Sequence, residues 1–262
     1  MRVAGSSDGL KPPARKQQNG PIVVFLGPTL SLAEAERTLP GAVFLQPVSQ
    51  GDIILAAHAF RPRAMILVDG QFEDRPPVRH KEIMWAMAQG IVVFGAGSMG
   101  AIRAAELHPF GMLGVGLIYR WYRRWPLAPD DAVAIQSAPA ELGFLPLTDA
   151  MVDLQITFSR LMRDGLISSG ERLRLTRIAQ SMNFRDRSLK AILQEAGFPD
   201  EISKKLRGRK ISQKKLDALE VLQKAPSLIN TDWCPKNPIW IPTNTFMRDL
   251  ESGGIDLSLL KY

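Results

Sequence analysis

Within VVFGAGSMGAIRAAEL, residues 92–107, Ser98 stands among small neighbours as Ala96-Gly97-Ser98-Met99-Gly100. A small-x-Ser-x-small run after an apolar stretch can place a serine at a sharp strand-to-helix turn with backbone N–H groups beside it. The hydroxyl is then either a nucleophile next to a helix N-terminal anion site or simply a helix cap. Gly95, Gly97 and Gly100 also satisfy the spacing of a dinucleotide fingerprint. Its companion, an acid ending the next strand, is missing. GVGLIYR ends instead in Arg120, which suits a 2′-phosphate and keeps an NADP-dependent reductase as a competing reading.

A nucleophilic serine needs a base and a group to orient it. Asp69 closes the apolar run RAMILVD, and Thr29 follows Gly27-Pro28 at the end of another. In an open parallel sheet the carboxyl ends of the strands border one crevice, so Thr29, Asp69 and Gly97-Ser98 are expected to converge. Between them lies HKEIMWAMAQ. At 100° per residue, Ile83, Met84, Trp85, Met87 and Ala88 define its apolar sector. His80 and Lys81 fall inside that sector, with Arg79, Glu82 and Gln89 outside. Two bases are thereby expected on the inward side of a helix start, where dipole and burial lower their pKa values. The structural alternatives are a satisfied core histidine and a lysine that snorkels to water. Arg103 could hold a carboxylate near Ser98, or pair with Glu106 three residues on.

The elements that must position these residues alternate. PIVVFLG, AVFLQP, RAMILVDG and IVVFG read as buried strands; SLAEAERTLPG with Ser31 as cap, GDIILAAHAF, PPVRHKEIMWAMAQG and the Ser98 segment read as helices. The pattern predicts an α/β fold with an open, mainly parallel, doubly wound sheet and a C-terminal helical region. A disordered tail is expected over 1–20, the α/β core over 21–147 and the helical region over 148–262. AVAIQ is a further strand candidate, Thr148 a possible helix cap, and the segment with Pro235, Pro238 and Pro242 an irregular wrap.

The chain of 262 residues has a net charge of +7. The cations Lys204, Lys205, Arg207, Arg209, Lys210, Lys214 and Lys215 follow one another without an intervening acid. No aromatic residue is interleaved to stack on bases, which disfavours nucleic acid and leaves an acidic protein or peptide partner. One cysteine, Cys234, and three dispersed histidines offer no metal-ligand spacing. No apolar run approaches the ~18 residues of a membrane span, and no secretory signal opens the sequence. A cytoplasmic protein without metal or other cofactor is expected.

The blocks VFLGPTL, DGQFEDRPPVRHKEIMWAM, VVFGAGSMGAIRAAELHPFGMLGVG and PAELGFLPLTDAMVD, between Pro21 and Phe158, together resemble the TfuA-like family. Thr29, where the family more often has Ser, and Gly97, which replaces another small residue, are departures. The resemblance implies a partner of YcaO-type enzymes, which modify backbone amides of ribosomally made peptides. It also implies hydrolysis of a thiocarboxylated, ThiS-like sulfur-carrier protein to supply sulfide for thioamidation. On that basis Ser98 would be the nucleophile and His80 or Lys81 the base. Asp69 would orient the base or bind the substrate, and Thr29, Gly97, Met99, Gly100 and Arg103 would contact substrate, with backbone N–H groups at Met99 and Gly100 forming the oxyanion site. The alternative is a non-catalytic adaptor that stimulates YcaO, the basic helical region recruiting enzyme, carrier or precursor peptide.

Overall fold

Short apolar runs bounded by glycine or proline become strands because both of their faces are covered. They are β1 (Ile22–Phe25), β2 (Val43–Leu45), β3 (Ala64–Leu67) and β4 (Val92–Gly95), joined by the two-residue β5 (Leu113–Gly114). The computed structural model describes residues 19–71, 75–229 and 240–261. Most of the expected amino-terminal tail, together with Cys234, Pro235 and Pro238, lies outside the described residues. The strands form one parallel sheet in the order β2-β1-β3-β4-β5, with Val23 opposite Val43, Ile22 opposite Ala64 and Ala64 opposite Val92. This order reverses direction between β1 and β3, which makes their carboxyl ends the crevice of the sheet.

The helices are α1 (Leu32–Thr38), α2 (Asp52–Phe60), α3 (His80–Ala88), α4 (Met99–Leu107), α5 (Leu117–Arg124), α6 (Met151–Arg163), α7 (Ser169–Ser181), α8 (Leu189–Glu195), α9 (Asp200–Arg207), α10 (Gln213–Ile229) and α11 (Asn244–Ser252). Alternation along the strands sends Val23, Phe25, Met65, Leu67 and Val93 to one face. There they meet Ile54 of α2, Trp85 of α3, Ala104 of α4 and Phe246 of α11. Ile22, Val24, Ile66 and Phe94 face the other way, onto Ala35 of α1 and Val221 and Leu222 of α10. A third cluster joins α6 through α9 to the outer sides of α4 and α5. The α/β fold with a helical C-terminal region is therefore as expected, and within that region α10 and α11 pack on the sheet.

Several elements differ from expectation. Beyond Gly114, which ends β5, GVGLIYR is not a strand. Leu117–Arg124 is a helix, because Asp217 accepts from Leu117 N at 3.0 Å and Ile118 N at 2.7 Å and so meets the first N–H groups of α5. Arg120 thus lies on a helix and not at a strand end, and the NADP reading loses its structural context. AVAIQ is an irregular segment whose Val133 and Ala134 are buried. Thr148 does not cap α6; its Oγ1 accepts from Gln136 N at 2.7 Å.

The seat of α4 depends on glycine. A Cβ on Gly100 would lie 1.8 Å from Leu67 O, and Gly100 N donates to Val68 O at 3.2 Å, so the first turn of α4 rests directly on the end of β3. Gly95 allows the same approach from below, its Cβ position lying 2.0 Å from Gly100 O. Gly100→Ala is expected to lift α4 and cost about 2–4 kcal/mol, in the range of other strained core substitutions. A urea-unfolding midpoint indistinguishable from wild type would refute this account of the seat.

Candidate functional site

Asp69 follows β3 and reaches across the reversal point. Its Oδ2 accepts from Gly27 N at 2.9 Å and Thr29 N at 3.1 Å, and its Oδ1 accepts from Thr29 Oγ1 at 2.6 Å. One carboxylate therefore shapes the loop after β1. Gly70 touches the third tip, since a Cβ there would fall 2.2 Å from Met99 Sδ. The three strand ends are brought together around a cleft of about 760 Å³ lined by Pro28, Asp69, Ser98, Met99, Val133 and Lys214, among others. Thr29 is buried behind Asp69.

Ser98 is 8% exposed and occupies the N-cap position of α4, yet its hydroxyl makes no capping hydrogen bond. Gly97 turns the chain with φ +70°, and its missing Cβ admits Lys214 O, 2.9 Å from where that carbon would sit. Of the N–H groups expected to receive an oxyanion, that of Gly100 is already used by Val68 O. Among the described residues the N–H groups of Gly97 and Met99 have no such partner. The N–H groups left open at this turn are therefore those of Met99, the residue after the serine, and Gly97, with Gly100 a packing residue.

The phase expected for α3 is not the one observed. His80 is exposed, its Nε2 2.7 Å from Glu106 Oε2, and Arg103 Nη1 donates to the same oxygen at 2.7 Å. Lys81 Nζ donates to Ile241 O at 3.2 Å, and Lys81 O accepts from Trp240 Nε1 at 2.8 Å. His80 and Lys81 do not line the cleft, and neither does Arg103. The inward residue is Glu82, fully buried, with Oε1 accepting from Arg79 N at 2.7 Å and Oε2 from Gly51 N at 2.9 Å. A carboxylate at the third position of a helix can turn back to its start. Here it also meets the N–H at the start of α2, so the acid goes inside and the two bases before it do not.

Lys214 was not singled out from the sequence, where it is one of seven cations in a row. It is buried, and Nζ donates to Val133 O at 2.8 Å. Burial pushes its amine down from the ordinary lysine value, while Asp69 and Asp153 pull it back up. Asp153, raised by its own burial, also accepts from Lys214 N at 3.0 Å. Two neighbours in the run are used internally as well: Lys210 bonds Asp149, and Lys215 Nζ meets Glu34 Oε1 at 2.5 Å. The basic run is in part a seam joining helices to the core.

Over the cleft, residues 136–147 form a flap closed by Ala138 N donating to Leu145 O and Leu147 N to Gln136 O. Arg187, buried, ties this region to the helices by donating from Nη2 to Asp131 Oδ2 at 3.1 Å. Residues 69–188, from Asp69 through Ser98 and the flap to Arg187, match the family model of TfuA-like proteins. This match supports assignment of the chain to the TfuA-like family. TfuA-like membership links it to YcaO-type modification. No curated protein matches it. Among the described residues no helix is long and apolar enough to cross a membrane.

Burial pushes the Glu82 carboxyl up to about 8 from an ordinary value of 4.5, against the N–H groups of Arg79, Gly51 and Ile53. The folded chain keeps a proton that the unfolded chain releases, so this contribution is complete below about pH 4.5 and is lost as pH rises through about 8. Glu82→Gln cannot ionise. The stability of wild type relative to this variant, from urea midpoints, is expected to fall between about pH 5 and pH 8.5; a difference that is flat with pH would contradict it.

Proposed function

We propose that this TfuA-like protein hydrolyses the C-terminal acyl thiocarboxylate of a ThiS-like carrier protein and supplies sulfide to a YcaO-type enzyme for backbone thioamidation. The observation that carries the proposal is the turn at Ser98, a hydroxyl free of any capping bond with the Gly97 and Met99 N–H groups beside it. Acyl transfer needs a nucleophile and donors aimed at the oxygen that becomes negative. A strand-to-helix turn that supplies the N–H of the residue after the serine meets both needs.

The cleft is too large for sulfide alone and is of the size that takes an extended chain end. In this assignment the carrier's terminal acyl group enters beneath the flap. Ser98 Oγ attacks the thiocarboxylate carbon, the oxyanion turns to Met99 and Gly97, and hydrosulfide leaves. Water then releases the carrier as its carboxylate. Asp69 keeps the loop after β1 in place. His80, Lys81 and Arg103 hold α3, α4 and the segment at Trp240 together instead of acting on substrate.

The decisive experiment mixes the purified chain with a thiocarboxylated carrier and follows the carrier's mass and free sulfide. Wild type is expected to convert thiocarboxylate to carboxylate. Ser98→Ala is expected to lower the rate by about 10³-fold or more with little change in melting temperature. His80→Ala is expected to change it by less than about threefold, as for an exposed ion-pair partner. No turnover by wild type, with stimulation of a YcaO enzyme that depends on Lys204, Lys205, Arg207 and Arg209, would replace the hydrolase with an adaptor.

A further inference from the structure

Helix α5 ends in a cluster of arginines, Arg120, Arg123 and Arg124, all of them exposed. At 100° per residue, the buried Ile118 and Tyr122 mark its inner side. Leu117, Arg120, Trp121 and Arg124 fall together on another arc, and the stripe runs on through Trp125 and Leu127 past the helix end. Cations are favoured at a helix C-terminus, but that does not account for the apolar residues between them: Leu117 is 41%, Trp125 57% and Leu127 98% exposed. Trp121, Trp125, Pro126, Leu127, Ala128 and Pro129 line a surface pocket of about 440 Å³. Among the described residues no acid forms an ion pair with Arg120, Arg123 or Arg124. Arg123 lies beside His108 and Tyr119, and Arg124 Cζ stands 5.8 Å from the ring centre of Trp125.

The loop after α5 ties this surface to the Ser98 cleft. Pro129 lines the surface pocket, and the next residue, Asp130, lines the cleft. The loop is anchored, because Tyr122 Oη donates to Pro129 O at 2.9 Å and Ala128 N to Trp125 O at 2.9 Å. A protein seated on the pocket therefore has the cleft beside it. We propose that α5 and this loop dock an acidic face of the protein whose chain end enters the cleft, with one bulky apolar side chain of that face in the pocket. That a chain end enters, and that it is the carrier's, rests on the proposed function above; the charge and the apolar pocket of the docking surface do not.

Charge and shape together select a protein. Arginines without acids of their own attract carboxylates, and tryptophan and arginine are the side chains that most often anchor interfaces. Arginine beside tryptophan also suits single-stranded nucleic acid. Here, however, the pocket lining is apolar apart from the two indole N–H groups, so a base within it would leave most of its polar edge unpaired. Arg124 already covers the ring of Trp125, and Trp121 packs edge-on against Tyr122 with ring centres 4.8 Å apart. Asp130 at the far end repels a phosphate chain running the length of the loop, whereas a protein face needs acids only over the helix.

The test titrates the purified chain into fluorescein-labelled carrier in its carboxylate form, which binds without turnover, and follows anisotropy. Trp125→Ala is expected to weaken binding by about 30-fold and Leu127→Lys by about tenfold, as for residues near the centre of an interface. Arg120→Glu combined with Arg124→Glu is expected to weaken it by more than about tenfold and to flatten its salt dependence. Leu127 and both arginines are exposed, so their variants are expected to keep the wild-type melting temperature. With thiocarboxylated carrier the same variants are expected to raise KM by matching factors and leave kcat unchanged. Wild-type affinity in the Leu127 and arginine variants would overturn the docking surface, whatever becomes of Trp125→Ala. So would absence of carrier binding by wild type, or an oligouridylate whose binding those variants abolish while carrier binding persists. A carrier that binds through this surface and is never hydrolysed would sink the proposed function and leave the docking surface standing; hydrolysis with an unaltered KM in every variant would do the reverse.

Discussion

A helix that starts inside a protein leaves its first N–H groups without intrahelical partners, and burying one unmet costs about 1–3 kcal/mol. In this chain acids from distant segments meet them. Glu82 takes Gly51 N at the start of α2, and Asp149 takes Leu189 N at the start of α8. Asp153 takes Lys214 N in the first turn of α10, and Asp217 of α10 takes Leu117 N and Ile118 N in the first turn of α5. The separations run from 31 residues for Glu82 and Gly51 to 100 for Asp217 and Leu117. Each acid therefore fixes one element against another. Asp69 does for the loop after β1 what the others do for helices.

The burial of Lys214 follows from this arrangement. Asp153 fixes the first turn of α10, and Asp217, one turn further on, fixes α10 against α5. Between these contacts the side chain at position 214 is held buried at the edge of the cleft. An unpaired buried cation would be costly, and the cost is reduced by the Val133 carbonyl and by the nearby charges of Asp69 and Asp153. Gly97 completes the fit, because any side chain there would meet Lys214 O. What looks in sequence like the second glycine of a nucleotide loop is the space that lets α10 close on the Ser98 turn.

How much of this was legible depends on whether a residue's environment is local. Four strands could be read because runs such as IVVF and AMIL are apolar at both parities, and the meeting of Thr29, Asp69 and Ser98 followed from strand ends sharing a crevice. The two bases were misplaced because the helical wheel of α3 counted Met84 and Ala88, which are only partly buried, as markers of the inner face. It also assumed that an acid such as Glu82 must face water. Burial of Glu82 becomes intelligible only once Gly51 and Arg79 are known to point their N–H groups at it. Lys214 was hidden for a similar reason: in a run of seven cations nothing local distinguishes the one whose neighbour in space is Asp69, 145 positions earlier in the chain by residue number.

The matched segment supplies the Asp69 carboxylate, the Ser98 turn and the flap, but it cannot assemble the cleft. Thr29, which Asp69 holds, comes from the end of β1, and Lys214 comes from α10. The floor is thus built from residues pinned by sheet bonds and buried acids on both sides of the segment. Its positions are expected to be rigid, as a reacting group requires. The flap is held differently, by backbone bonds at Ala138 and Leu147, with Leu142, Leu145 and Leu147 each about 60% exposed. Few buried contacts support it, which is the physical condition for opening locally without disturbing the rest. A fixed floor under a lightly held flap is the arrangement that the proposed acyl transfer at Ser98 would need.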